Sequence, residues 1–124
     1  GRPAALFACQ AAENIRRNIV TLNTRLATEG LPCVTLGAGI ASGGVIAGKI
    51  GAVTGRRDYT IIGDRVNLAA RLESMSHFSE RTRILVDQQT KQSAVATFSF
   101  KDYGELPVKG KTSLVQVYEL IANR

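Results

Sequence analysis

Eight of the chain's 12 glycines fall between Gly37 and Gly63, and that clustering limits the folds open to it. Each glycine inside a helix costs about 1 kcal/mol relative to alanine, so this stretch does not read as helix. CVTLGAGIA, residues 33–41, reads instead as a strand on a well-covered sheet, with Val34, Leu36 and Ile40 on one face. The next segment, SGGVIAGKIGAVTG, reads as turn, strand and loop, and RRDYTII as a compact strand closed by Gly63-Asp64. The glycines permit tight turns and close backbone approach. Residues 43–50, GGVIAGKI, fall one residue short of a phosphate loop. Ile50 stands where a magnesium-binding hydroxyl is required, and Gly51 and Gly55 follow where a helix should begin.

Helical patterns bracket this region. From Pro3 to Glu29, the residues Ile15, Ile19, Leu22 and Leu26 recur on one helical face, and Gly30 with Pro32 is a stop signal. After Asp64, a good N-cap candidate, RVNLAARLESMS regains the helical period. Leu68, Leu72 and Met75 form an apolar stripe, with Asn67, Arg71 and Ser74 as a polar stripe beside it. RILVD reads as a strand, QQTKQSAVA as a short helix, and FSFKDYGELPVKG and LVQVYELI as closing antiparallel strands. This order predicts an α+β fold with a mixed, mainly antiparallel sheet and helices packed on it, residues 1–124 forming a single domain.

Hydrophobic residues at 44% and charged residues at 21% fit one soluble globular domain. The net charge of +6 favours an anionic partner, whether nucleotide, nucleic acid or lipid headgroup. Cys9 and Cys33 are too few for a disulfide scaffold, and the single His77 excludes a multi-histidine metal site. No run is long enough to span a membrane and no signal peptide is readable, so no membrane contact and a cytoplasmic location are expected. The absent initiator Met hints at an excised fragment. The basic pairs Arg16-Arg17, Arg56-Arg57 and Lys109/Lys111 lack the interleaved aromatics of a base-stacking surface, so no nucleic acid partner is expected.

The densest signal is DYTIIGDRVNLAARLES, residues 58–74. It reads as a strand, a tight glycine turn, and a helix presenting Asn67 and Arg71 near its N-terminus. A helix start, a planar guanidinium and a directional amide together suit a phosphate. The competing reading pairs Arg71 with Glu73 or Asp64 on the surface, and composition does not decide between the two.

This stretch resembles the class III nucleotidyl cyclases, the adenylate and guanylate cyclases. LGAGIASGGVIAGKIG resembles that family's G-I-x-x-G-x-V-x-x-G-x-I-G strand and turn, and VKGKTSLVQVYEL its closing V-K-G-K-x-x-x-V-x-V-Y-E. The resemblance implies the ferredoxin-like cyclase fold, the substrate ATP, and a second cyclase domain paired head to tail in a homodimer. By position, Asn67 would orient the ribose and Arg71 would stabilise the α-phosphate in the transition state. Lys109 would contact the terminal phosphates, with Lys111 less suited to that role. Thr60 would read the base, as in the bacterial adenylate subtype, with Ile61 adding a backbone contact. The family's two divalent ions, Mg or Mn, are held by two aspartates in an early D-I-x-x-F-like strand and a G-D-G-like hairpin. Neither motif is present, since the only Gly-Asp is Gly63-Asp64. A base-reading Lys of the same hairpin is absent too. The expectation is the C-terminal two-thirds of a catalytic domain, its N-terminal strands missing, holding no metal and inactive alone. The alternative is a cyclase-like nucleotide-binding or regulatory module without catalysis.

Overall fold

The computed structural model describes residues 2–41, 45–52, 57–62, 66–108 and 111–124, and for residues 2, 45–47, 49–52, 57–62 and 66 the backbone alone. Helix α1 runs over Arg2–Thr28, followed by strands β1 (Val34–Ala41), β2 (Val45–Ala52) and β3 (Arg57–Ile62). Helix α2 (Val66–Met75) continues into a 3₁₀ turn at Ser76–Phe78. Strand β4 (Ile84–Asp87), helix α3 (Gln88–Ala94) and strands β5 (Phe98–Leu106) and β6 (Val115–Asn123) complete the chain. The described strands form one sheet in the order β3-β2-β1-β4-β6-β5. Only β1 and β4 run parallel among the described strands, with Ala38 opposite Ile84. The mixed, mainly antiparallel α+β architecture matches the order of elements read from the sequence.

Helices cover the sheet on both faces. On one, α1 and α3 bring Ala8, Cys9, Ala12 and Ala94 onto Ile40, Ile84, Val86, Phe98 and Leu120. On the other, Leu68, Ala69 and Leu72 of α2 pack on Ala41, Leu85 and Val117. All four residues of β4 are buried, as a central strand covered on both faces requires. Its apolar side chains alternate between the two clusters.

Helix α1 ends where Gly30 and Pro32 stop it. Gly30 has φ 71°, the left-handed region open to glycine. Leu31 N–H donates to Leu26 O at 2.9 Å and Gly30 N–H to Ala27 O at 3.1 Å, which together form a Schellman cap. Asn23 then ties the helix to the sheet. Its Nδ2 donates to Val34 O at 2.9 Å, and its Oδ1 accepts from Val34 N–H at 2.8 Å.

The expected face of α1 is the one turned inward, with Ile19 and Leu26 half-buried, but burial is complete only in the first half of the helix. Ile15 and Leu22 are 37% and 38% exposed, whereas Ala5, Ala8, Cys9 and Ala12 are buried. Small side chains in that half leave room for the helix to pack closely on the sheet. Phe7 and Val20 are also exposed.

Candidate functional site

Helix α2 sorts its residues by face. Leu68, Ala69, Leu72, Glu73 and Ser76 are buried toward the sheet. Asn67, Arg71 and Ser74 are exposed on the other side, as their spacing predicts. Asn67 is the second residue of the helix and Arg71 lies one turn on. Neither side chain makes a hydrogen bond or ion pair with another described residue. Glu73, only 6% exposed, lies on the buried face, so the surface pair of Arg71 with Glu73 does not form. Asp64, the other candidate partner and the expected N-cap, lies outside the described residues.

The height of α2 above the sheet is set by β1. Gly37 and Gly39 face the helix, while Ala38 and Ile40 are buried toward α1. A Cβ at Gly39 would lie 2.5 Å from Glu73 N and 2.7 Å from Leu72 Cβ, and closer still to Ala69 O. A Cβ at Gly37 would lie 2.6 Å from Ser76 Oγ. Backbone therefore packs on backbone along this seam. The glycine density of the sequence hinted at close approach without naming the partner.

Strand β3 delivers the chain to this helix. Thr60 pairs in register with Gly48 and Ile61 with Ala47, which sets both residues on β3 just before the connection to α2. Lys109 lies outside the described residues. Lys111 is exposed, and its N–H donates to Val108 O at 3.0 Å. Thr60 and Ile61 thus lie on the strand that precedes the helix carrying Asn67 and Arg71.

Two buried acids, Glu13 and Glu119, were not singled out in the sequence. Glu13, 3% exposed, binds Arg16 through two hydrogen bonds, of 2.6 and 2.9 Å, and Arg17 at 3.3 Å. Arg16 and Arg17 are thus both paired with Glu13 within α1. Glu119, fully buried, accepts hydrogen bonds from Thr82 N–H at 2.6 Å, Arg81 N–H at 3.0 Å and the Tyr103 hydroxyl at 2.8 Å. Its network pins the loop between the 3₁₀ turn and β4, where Arg83 adopts φ 58° and its carbonyl accepts from Ala38 N–H. A polar cleft of about 300 Å³ opens beside this loop, between Thr35, Ser76, His77 and Arg83.

Among the described residues, no group of three His, Cys, Asp or Glu could hold a metal ion. Nor is any helix of the described residues long and apolar enough to cross a membrane.

An α+β domain that sends a helix carrying an exposed amide and guanidinium out of a glycine-rich sheet defines the class. The model of the adenylate and guanylate cyclase catalytic domain matches residues 8–121, and the chain belongs to that family. Adenylate cyclase 1 of Rhizobium meliloti is 29% identical over 117 residues, covering 94% of this chain and 17% of that protein. Adenylate cyclase of Anabaena cylindrica is 32% identical over 123 residues, covering 96% and 23% respectively. The crystal structure of the adenylyl cyclase CyaB from P. aeruginosa aligns with a TM-score of 0.65 at 34% identity, over 92% of this chain and 58% of that one. The chain thus spans less than a quarter of these two curated relatives. Domains of this family bind nucleotide, act as dimers and generally use two divalent metal ions.

Proposed function

We propose that this chain is the C-terminal part of an adenylate cyclase catalytic domain, converting ATP to 3′,5′-cyclic AMP and pyrophosphate. The observation that carries the reading is the pair Asn67 and Arg71, exposed one turn apart near the start of α2 and uncommitted to other described residues. A guanidinium beside a helix N-terminus offers planar donors to a phosphate whose charge grows during reaction. In this reading Arg71 stabilises the α-phosphate as the ribose 3′-hydroxyl attacks it. Asn67 fixes the ribose so that the attacking oxygen is aligned. Thr60 meets the adenine amino group, Ile61 adds a backbone contact, and Lys109 binds the terminal phosphates.

The family's two metal-binding aspartates have no counterpart in this sequence, and the described residues offer no ligand set. No metal-dependent step is therefore assigned to this chain. The aspartates would come from the rest of the catalytic domain, and the complete site would form across a head-to-tail homodimer. In that dimer this chain supplies the ribose and phosphate side.

The second reading is a cyclase-like module that binds nucleotide without turnover, and it would hold if the full reading frame supplied no such aspartates. The full reading frame containing this chain decides between them. Cyclic AMP formation from ATP, reduced in kcat on the order of 10²–10³-fold by Arg71→Ala with a smaller change in KM, supports the enzyme. ATP binding with no turnover supports the module. A raised KM at unchanged kcat would make Arg71 a ground-state binding residue and refute its assigned role.

A further inference from the structure

We propose that Gly39 is a positioning residue: by leaving no side chain between β1 and α2, it sets the height at which Asn67 and Arg71 are presented. The inference rests on the adenylate cyclase reading and adds to it a residue that touches neither substrate nor metal.

The geometry is specific to this position. The atoms that a Gly39 Cβ would strike include Ala69 O and Glu73 N, which are backbone, and Leu72 Cβ, which is fixed to it. None of them moves by a rotamer change. Carbon atoms rest at about 3.5–4.0 Å, so the 2.7 Å approach to Leu72 Cβ requires a lift of about 1 Å. The lift falls on the stretch of α2 that includes Ala69, Leu72 and Glu73, between and just beyond Asn67 and Arg71.

The neighbouring glycines serve as contrasts. At Gly37 the nearest atom is Ser76 Oγ, the end of a side chain that can rotate or be trimmed. At Gly48 the one atom of the described residues that a Cβ would meet is Gly37 O at 3.6 Å, an ordinary contact. Three glycines in one sheet region therefore predict three different outcomes for the same one-carbon change. A misplacement of 1 Å at a reacting centre can cost about 10²-fold in rate.

The test compares Gly39→Ala, Gly37→Ala and Gly48→Ala in the full reading frame, with kcat normalised to the folded fraction. Gly39→Ala is expected to lower kcat on the order of 10²-fold with KM changed only a few-fold, and trimming Leu72→Ala should not restore it. Gly37→Ala should lose less, and Ser76→Ala should restore that loss. Gly48→Ala should match the wild type. A purely structural role would lower the melting temperature and leave the kcat of folded molecules intact, so Gly39→Ala within about twofold of wild-type kcat overturns the proposal. If Gly39→Ala does not fold, Ala69→Ser lifts the helix from its own side by one atom and is judged by the same criterion. If the wild-type protein makes no cyclic AMP, the adenylate cyclase reading fails, and crystal structures still decide the positioning. In that case α2 displaced by about 1 Å in Gly39→Ala, or in Ala69→Ser, supports it, and an unmoved helix overturns it.

Discussion

Replacing Glu119 with Gln removes one charge and changes almost no volume, so its cost reports the buried carboxylate alone. The side chain is fully buried on β6 and accepts from Thr82 N–H, Arg81 N–H and the Tyr103 hydroxyl, with a longer contact to the Thr82 hydroxyl at 3.3 Å. Burial pushes its carboxyl up. The hydrogen bonds from Thr82, Tyr103 and Arg81 outweigh that and hold it below its ordinary 4.5. Each hydrogen bond to a charged acceptor contributes about 1.5–3 kcal/mol. Gln keeps one acceptor oxygen and turns an amide donor toward other donors, so about 3 kcal/mol is lost at neutral pH. For a domain of this size that lowers the melting temperature by roughly 10 °C.

The pH dependence is the sharper test. A carboxyl held low in the folded state stabilises above its unfolded value, and that contribution is lost as pH falls through its folded value. Thermal melts of wild type and Glu119→Gln should therefore differ by a constant amount from neutrality down to about pH 4.5 and converge below it. An equal gap at pH 7 and at the acid end, or a neutral-pH loss under about 1 kcal/mol, would refute the reasoning.

Burial beside Asp87 pushes the Cys9 thiol up to about 12, while Cys33 is exposed. Iodoacetamide at pH 8 should therefore label Cys33 in the folded protein and reach Cys9 only after denaturation, as mass spectrometry would read. Asn23→Ala loses both hydrogen bonds to Val34 and should cost about 1–2 kcal/mol in denaturant melts; an unchanged midpoint would count against the clamp. The exposed Phe7, Ile15 and Leu22, which share one side of α1, predict self-association of the chain, and a monodisperse monomer by light scattering at high concentration would contradict it.

What the sequence disclosed follows from the range of each signal. Gly30 and Pro32 act on their own neighbours, so the end of α1 was legible. The spacing of Leu68, Leu72 and Met75 is a local period, so the two faces of α2 were legible as well, and with them the exposure of Asn67 and Arg71. The face of α1 was legible in the same way, but not how far along it burial is complete: Ala5, Ala8, Cys9 and Ala12 are buried, while Ile15 and Leu22 further on are more than a third exposed. Glu119 was invisible in the sequence. An isolated acid reads as solvated, and its donors at Arg81 and Thr82 lie far away in sequence. The pairing of Ala38 with Ile84 is equally remote, and nothing near either residue announces it.

That same pairing bears on the order in which the domain assembles. Strand β1 meets β2 after a short connection, but it meets β4 only once β2, β3 and α2 have been traversed. Closing that long loop costs chain entropy before any contact rewards it. The antiparallel strands β1 to β3 and the helix that follows them can therefore gather from near neighbours, whereas the parallel seam forms across a distance. Its closure is expected to limit the folding rate. Trimming Ile84 to Val should then slow refolding in stopped-flow experiments more than it speeds unfolding. The core strand of the finished sheet is thus the junction at which an early half of the molecule waits for a late one.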